Sequence, residues 1–252
     1  MTVGTGRTAL VTGGGSGLGA AISRSLHAAG ARVVIVGRRP EPLHEVAEQL
    51  GNDVRVEACD VSQPLRVTEL AQRLADEKVS ILVNNAGIAG PVAPLVEIEP
   101  DQWDEVFAVN VRGAYLMCRA FLPPMIESGD GDIINLASVS GKRPLTRRTP
   151  YCASKMAVIG LTSTLAFEVG SAGIRVNSLS PGPVEGERMA RNFALEAERT
   201  QTSYADARDA FVNRSALRRM VTEDEVGSAV VAMLGMPGMS GADVDLSAGM
   251  VA

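Results

Sequence analysis

The sequence lacks an uninterrupted run of about 18 apolar residues, the length that a membrane helix needs, although 46% of its residues are hydrophobic. Its opening stretch, MTVGTGRTALVTGGG, has no charged segment followed by a long apolar one, as a signal peptide would. We therefore expect a cytoplasmic protein with no membrane partner.

Cysteine is scarce, with 3 residues at positions 59, 118 and 152. An odd number of widely spaced cysteines fits neither a disulfide framework nor a metal site, so we expect reduced thiols and no bound metal. The pattern G-x-S-x-G is absent, which argues against a serine hydrolase of the α/β type.

An excess of positive charge is missing too. The formal net charge is −5 and the isoelectric point is about 5.2, so the chain has no overall basic character with which to bind nucleic acid. We expect a small-molecule substrate and no nucleic-acid partner.

The chain does contain a regular alternation of short apolar runs and longer amphipathic segments. The apolar runs are rich in Val and Ile, as in parallel strands that are buried on both faces. They cover residues 8–13, 31–37, 54–60, 81–87, 132–138 and 174–182, and the helix-length segments include 17–29, 42–50, 65–77 and 101–122. This order predicts an α/β fold with right-handed crossovers and a doubly wound parallel sheet. The length fits a single domain over residues 1–252.

Residues 183–220 depart from this alternation. They form a charged, helix-prone segment that begins directly after a predicted strand. Ligands of doubly wound sheets bind beyond the carboxyl ends of the strands. We therefore interpret residues 183–220 as a helical substrate lid.

The first strand ends in TGGGSGLG, a glycine-rich stretch that opens a predicted helix. Glycines let the backbone turn sharply and approach a phosphate, while the N–H groups and the positive dipole end of the helix attract an anion. The stretch predicts a pyrophosphate site, and an ordinary glycine-rich turn is the alternative. No Gly-Lys-Ser/Thr follows, so it is not a nucleoside-triphosphate loop. The residues assigned to cofactor binding are Gly13, Gly15, Ser16, Gly17, Leu18 and Gly19.

Several motifs occur in a single order along the chain. The glycine spacing is followed by NNAG (84–87), FAVNVRG, NLASVSG, YCASK and SPG (180–182), and together they resemble the classical short-chain dehydrogenase/reductase family from residue 8 to about residue 231. The resemblance implies a Rossmann-type fold, a nicotinamide cofactor and reversible oxidation of an alcohol to a carbonyl. It assigns catalysis to Asn110, Ser138, Tyr151 and Lys155.

The resemblance also implies further contacts with the cofactor. Adenine would lie between Asp60 and Val61, and the nicotinamide end would contact Tyr151 and Lys155. The other implied contacts are Asn84, Ala86 and Gly87 near the adenosine ribose, and Pro181, Gly182 and Val184 near the nicotinamide.

The chemistry of the catalytic residues can be argued from their types. A tyrosine in water has a pKa of about 10, too high for a base at neutral pH, and a cation one helical turn away favours the phenolate. Lys155 follows Tyr151 by four residues and therefore shares its helix face. Ser138 ends a predicted strand, where its hydroxyl can bind a substrate oxygen. Each residue also has a purely structural explanation, and Asn110 could be a satisfied polar residue or a kink.

Two departures from the family pattern concern the cofactor. The second strand ends at Gly37, followed by Arg38 and Arg39 where an acidic residue would bind an adenosine ribose. Guanidinium groups pair with a 2′-phosphate, so NADP(H) is favoured and NAD(H) remains the alternative. Gly186 stands where family members often have a threonine against the nicotinamide carboxamide.

A basic run precedes Tyr151 in the loop VSGKRPLTRRTPY. We assign Arg148 here and Arg188 in the lid to an anionic hydroxy or oxo substrate, either small or carried as a 3-oxoacyl thioester. A solvated or ion-paired surface is an equally good explanation of such a run.

The helix that begins near Pro150 is apolar on nearly every side, whereas a surface helix should show one apolar stripe. We therefore expect a homotetramer or a homodimer. A catalytically silent dinucleotide-binding sensor or scaffold is the alternative function, because a fold does not determine a function.

Overall fold

The computed structural model describes residues 3–51 and 53–250, without the side chains of Glu187 and Arg188. These residues form seven strands and nine α-helices in the following order: β1 (Thr8–Thr12), α1 (Gly17–Ala28), β2 (Arg32–Gly37), α2 (Pro40–Leu50), β3 (Arg55–Ala58), α3 (Pro64–Arg73), β4 (Val79–Asn84), α4 (Pro100–Phe107), α5 (Gly113–Ser128), β5 (Gly131–Leu136), α6 (Thr149–Val169), β6 (Ile174–Pro181), α7 (Glu187–Thr200), α8 (Tyr204–Val212), α9 (Glu223–Leu234) and β7 (Asp243–Leu246).

The strands form one parallel sheet with the order β3-β2-β1-β4-β5-β6-β7. The strand order reverses between β1 and β4, and a crevice at the carboxyl ends of these strands is the usual ligand site of such sheets. The predicted Rossmann-type, doubly wound parallel sheet flanked by helices is therefore confirmed.

Helices cover both faces of this sheet. Successive strand residues point to opposite sides, so each strand contributes side chains to both cores. Leu10 belongs to the core beneath α3, α5 and α6, whereas Ala9 and Val11 belong to the core beneath α1, α2 and α9. Double burial explains why the central strands read as continuous apolar runs.

Strand β7 was not predicted from the sequence. Its four residues include Asp243 and Asp245, whose carboxylates do not resemble a buried strand. Ser178 and Ser180 of β6 each donate a hydrogen bond of 2.7 Å to Oδ1 of Asp243. These partners satisfy Oδ1, and Nζ of Lys142 lies 2.5 Å from Oδ2, so the carboxylate can lie within the sheet.

The prediction of one helix over residues 101–122 needs correction. The segment divides into α4, a π-helical turn over Ala108–Arg112, and α5, which continues to Ser128. In the turn, the N–H group of Gly113 donates to the carbonyl of Ala108, five residues earlier. This wider turn contains Asn110, one of the predicted catalytic residues.

The segment predicted as a lid contains α7 and α8. It has a small apolar core of its own, formed by Met189, Phe193, Val212 and Met220. Its two ends are joined, because Val221 N donates to the carbonyl of Pro183 over 3.0 Å and Glu185 N donates to that of Val221 over 2.8 Å. The helical character is as expected, and the role as a lid stays a prediction.

Helix α6 is apolar enough to need comment. Together with the short turn after it, it has the length and the mean hydropathy, 1.2, of a candidate membrane span among the described residues. Its buried side chains Ser154, Lys155 and Thr162 are polar and lie on the side that packs against the protein. The core helix of a globular protein meets the same two criteria, so α6 is weak evidence for a membrane span.

Candidate active site

The loop between β1 and α1 is too tightly packed for most side chains. Gly13 has φ of 68°, and a Cβ atom there would lie 2.9 Å from Nδ2 of Asn85. A Cβ atom on Gly19 would lie 2.0 Å from the carbonyl oxygen of Gly13. Glycine is therefore required at both positions for the loop to turn onto α1.

A cleft of about 750 Å³ opens above this loop at the carboxyl ends of β1, β2, β3 and β4. Most of the residues assigned to the cofactor line it. They are Gly13, Gly15, Ser16, Gly17, Leu18, Gly19, Arg38, Arg39, Asp60, Val61, Ala86, Gly87 and Val184.

The cleft fits a dinucleotide phosphate group at Gly17, the first residue of α1. Gly17 has φ of 51°, and among the described residues outside its own helical turn, only Oε1 of Glu223 lies within 4 Å of the position of an added Cβ, at 3.5 Å. The first turn of α1 has N–H groups without partners within the helix and carries the positive end of the helix dipole, both of which favour an anion. These features fit a bound pyrophosphate.

The two asparagines of the NNAG motif have different surroundings. Asn84 is buried. Its Nδ2 donates a hydrogen bond of 2.8 Å to Oδ1 of Asn135 and one of 3.3 Å to Sγ of Cys118. Asn85 lines the cleft, and its Nδ2 donates 2.8 Å to the carbonyl of Thr12. The structure thus places Asn84 in the core and Asn85 against the glycine loop, and the alternation of side chains along β4 is the signal for this.

Pro181 and Gly182 lie at the end of β6, and the cleft lining described above does not include them. Gly182 N donates 2.8 Å to the carbonyl of Leu246, and a Cβ atom on Gly182 would lie 2.8 Å from Cα of Ser247. These two residues therefore join β6 to the segment after β7.

Tyr151 and Lys155 lie one turn apart at the beginning of α6, as predicted. Nζ of Lys155 lies 5.8 Å from the centre of the Tyr151 ring and donates a 2.7 Å hydrogen bond to the carbonyl of Leu136, the last residue of β5. Lys155 is 5% exposed, so this ammonium group is held within the protein beside the phenol.

Ser138 follows β5 and is buried. Its Oγ accepts a 3.2 Å hydrogen bond from Ser140 N and donates one of 3.5 Å to the carbonyl of Pro181. The turn after Ser138 packs on α6, because a Cβ atom on Gly141 would lie 2.9 Å from the carbonyl carbon of Lys155. Direct backbone contact therefore brings Ser138 close to the helix of Tyr151.

Asn110 connects the π-helical turn to the loop after β4 and to α6. Its Oδ1 accepts a hydrogen bond of 2.8 Å from Ile88 N. Its Nδ2 donates one hydrogen bond of 3.0 Å to the carbonyl of Ile88 and another of 3.0 Å to Oγ of Ser154. Ser154 Oγ in turn donates 2.8 Å to the carbonyl of Tyr151. Asn110 is thus a satisfied polar residue in an irregular turn, and Ser154, which the sequence did not single out, links it to α6.

Gly87 is the point where this group meets the cleft. A Cβ atom on Gly87 would lie 3.2 Å from Oδ1 of Asn110 and 3.5 Å from Nζ of Lys155. The loop after β4 therefore lies against both side chains and borders the cleft at Gly87.

Two arginines provide the positive charge at the far end of the cleft. Arg38 and Arg39 are exposed, and neither forms a hydrogen bond or an ion pair with another described residue. Asp60, in the same wall, accepts from the backbone N–H and the hydroxyl of Ser62 over 2.9 and 2.7 Å. Burial raises the pKa of the neighbouring Cys59 thiol to about 11, so it is uncharged at neutral pH.

The basic run after Ser138 is bound by the protein itself. Nζ of Lys142 lies 2.5 Å from Oδ2 of Asp243 and also contacts Asp245. Arg143 pairs with Asp245 over 3.1 Å. Burial lowers the pKa of Lys142, but the hydrogen bonds to Asp243 and Asp245 outweigh it and the pKa is raised. Strand β7 thereby neutralises two of the cations that the sequence offered for an anionic substrate.

Arg148 is also in contact with the backbone. Its Nη1 lies 3.2 Å from the carbonyl oxygens of both Ala89 and Gly90, which follow the NNAG motif. This contact ties the loop after β4 to the beginning of α6. The assignment of Arg148 to the substrate stays a prediction, and Arg188 lies outside the described side chains.

Comparison with known protein families gives one clear result. A family model described as short chain dehydrogenase matches residues 7–197. Among curated proteins, the D-threitol dehydrogenase of Mycolicibacterium smegmatis is 42% identical over 181 residues, which are 70% of this chain and 69% of that protein.

Solved structures agree with this match. The NAD⁺-bound xylitol dehydrogenase is 28% identical with a TM-score of 0.91, and the alignment covers 97% of this chain and 99% of that one. A variant of the actinorhodin polyketide ketoreductase with NADPH is 30% identical with a TM-score of 0.91, covering 99% and 98%. The two neighbours bind different nicotinamide dinucleotides.

Proposed function

Since this chain belongs to the short-chain dehydrogenase family of oxidoreductases, we propose that it transfers hydride between a nicotinamide dinucleotide and a secondary alcohol or its carbonyl, with Tyr151 as acid and base. The contact of Gly87 with both Lys155 and Asn110 supports this proposal most directly, because it joins the dinucleotide cleft to the acid/base pair.

The protein residues have separate tasks in this reaction. A bound nicotinamide supplies or accepts the hydride. The hydroxyl of Ser138 hydrogen-bonds the substrate oxygen and stabilises the charge that develops there. The phenol of Tyr151 donates a proton to that oxygen during reduction and removes it during oxidation. Lys155 holds a positive charge next to the phenol, and Asn110 holds the loop after β4 and, through Ser154, the first turn of α6.

For the substrate, we propose a small polyhydroxy alcohol or the matching ketose. Two of the three relatives named above are dehydrogenases of threitol and xylitol, and two cations of the loop after Ser138 are already paired within the chain. The second candidate is an anionic hydroxy or oxo compound, free or as a 3-oxoacyl thioester. The position of Arg148 beside Tyr151 in the sequence is the observation that favours it.

A panel of substrates tests both the reaction and its substrate class. We would follow NADPH oxidation with small ketoses, neutral ketones, an oxo acid and its methyl ester, and a 3-oxoacyl thioester. Ketoses are expected to give the highest kcat/KM. A preference for the oxo acid over its ester would reject the polyhydroxy substrate. Tight dinucleotide binding without turnover of any compound, in either direction, would favour a silent sensor or scaffold.

For the cofactor, we propose NADP(H) in preference to NAD(H). Arg38→Ala is expected to weaken NADPH binding by about 1.5–3 kcal/mol, roughly 10- to 150-fold in Kd, because the variant removes a charged hydrogen bond to the 2′-phosphate. Titration of the same variant with NADH is the internal control and should change little. Equal losses for the two cofactors, or a wild-type preference for NADH, would contradict the proposal.

We also propose that the protein acts in the cytoplasm as a homotetramer or homodimer. On α6, Phe167 is 90% exposed and Met156 is 48% exposed, which leaves an apolar face uncovered in the single chain. In sedimentation at micromolar concentration, the wild type should have a multiple of the 26.4 kDa chain mass, and Phe167→Glu should lower it. Leu65→Glu, on another exposed apolar residue, is the matched control. A monomeric wild type would contradict the proposal.

A further inference from the structure

The cleft contains a carboxylate whose position needs an explanation. Glu223 is the first residue of α9, and its Oε1 lies 3.5 Å from the position of a Cβ atom on Gly17. The same oxygen lies 3.4 Å from the corresponding position on Gly186, at the beginning of α7. Glu223 therefore lies between the glycine loop and the base of the helical segment, beside the N-terminus of α1.

Packing between α1 and α9 fixes this position. A Cβ atom on Gly227 would lie 2.3 Å from Oγ of Ser25, so the two helices are in direct contact. A capping box fixes the beginning of α9. Thr222 Oγ1 accepts a hydrogen bond of 3.2 Å from Glu225 N, and Glu225 Oε2 accepts one of 2.9 Å from Thr222 N. The N-termini of α1 and α9 are thereby held side by side.

The two glutamates of this helical turn differ in their partners. Glu225 accepts hydrogen bonds of 2.6 and 2.7 Å from Arg219, which lower its pKa to about 2. Glu223 forms no hydrogen bond or ion pair with any other described side chain, and it lines the cleft together with Glu185. The negative charge of Glu223 thus faces the glycine loop without a described counter-ion.

We propose that Glu223 lowers the affinity of the cleft for both nicotinamide dinucleotides by repelling their pyrophosphate. This inference rests on the proposed function, which places a pyrophosphate at Gly17. Two like charges within several ångströms at a partly solvated site repel each other, and added salt screens the repulsion. Because both dinucleotides carry a pyrophosphate, the effect is common to NADP(H) and NAD(H), unlike that of Arg38. Weaker binding of this kind would speed release of the cofactor after each turnover.

The test is a pair of charge-neutralising variants. We would measure the Kd of NADPH and of NADH by ligand fluorescence for the wild type, Glu223→Gln and Asp224→Asn, at low and at high ionic strength. Asp224 is the next residue, is exposed and lies in the same helical turn. Its variant therefore changes the net charge of the protein and the charge at the helix N-terminus by the same amount as Glu223→Gln. Glu223→Gln is expected to bind both dinucleotides roughly three- to tenfold more tightly at low salt, with a smaller gain at high salt. Asp224→Asn is expected to stay close to the wild type.

Four results would overturn the inference. Equal changes in the two variants would show a general charge effect. Weaker binding by Glu223→Gln would show that the carboxylate attracts the cofactor, for example by accepting from the nicotinamide amide. A wild type that binds neither dinucleotide would reject the proposed function and the inference together, whereas tight binding with unchanged Kd in Glu223→Gln would reject the inference alone. Glu223→Ala should shift Kd in the same direction as Glu223→Gln, and thermal unfolding would verify that both variants are folded.

Discussion

Replacing Tyr151 with phenylalanine is expected to lower kcat by roughly 10²- to 10⁴-fold, the range that general acid–base catalysis contributes. The substitution removes the hydroxyl to which we assign the proton transfer and keeps the ring, which lies 5.8 Å from Nζ of Lys155. The Kd of the dinucleotide should change by less than about fivefold, since a single neutral hydrogen bond contributes only about 1 kcal/mol and most of the cleft is unaltered. Steady-state kinetics and a binding titration on the same preparation would measure both quantities.

The chain offers two matched controls for this variant. Its other tyrosines, Tyr115 and Tyr204, are each about half exposed and lie outside the catalytic group. Tyr115→Phe and Tyr204→Phe should therefore keep kcat within about twofold of the wild type. Full activity of Tyr151→Phe at neutral pH would disprove the acid/base assignment.

The second large effect is expected for Lys155→Met. Methionine fills similar space but removes the cation beside the phenol and the 2.7 Å hydrogen bond to the carbonyl of Leu136. We expect kcat to fall by roughly 10²-fold or more, because less phenolate is available without the positive charge. In contrast to Tyr151→Phe, the Kd of both dinucleotides should rise as well, because the ammonium group lies next to Gly87 in the wall of the cleft.

Lys78→Met is the control for this substitution. Lys78 is exposed and distant in sequence from the catalytic elements, so the variant should keep both kcat and Kd. If Lys155→Met lost activity without any change in dinucleotide binding, Lys155 would act on the proton transfer alone. Near-normal kcat in Lys155→Met would contradict its role altogether.

Most of the sheet could be predicted because its strands are buried on both faces and therefore contain few polar residues. Strand β7 escaped prediction for the opposite reason. Asp243 and Asp245 are acceptable in a strand only because Lys142, Arg143 and the serines of β6 surround them, and these contacts join residues that lie 63 to 103 positions apart. A local pattern does not contain that information.

The candidate site, too, has a part that the sequence predicted and a part that it did not. Motifs indicated the glycine loop and the catalytic residues, because their chemistry requires particular residue types at particular spacings. The contacts of Ser154 and Glu223 depend on how helices pack, and that of Asn85 depends on how the ends of β1 and β4 meet, so the motifs alone did not assign these contacts. The basic run is the clearest case of a contact that the sequence did not predict, because Lys142 and Arg143 form ion pairs with the carboxylates of β7.

The π-helical turn at Ala108–Arg112 has a consequence for how the length of this chain can vary. A π turn corresponds to one residue more than a regular helix would use. Deleting one residue there would restore regular helical hydrogen bonding and keep α4 and α5 in nearly the same rotational phase, but it would remove the wide turn from which Asn110 extends. The side chain of Asn110 would then leave Ile88 and Ser154, although every remaining amino acid would suit a helix. Related chains should therefore accept substitutions in this turn far more readily than single-residue deletions.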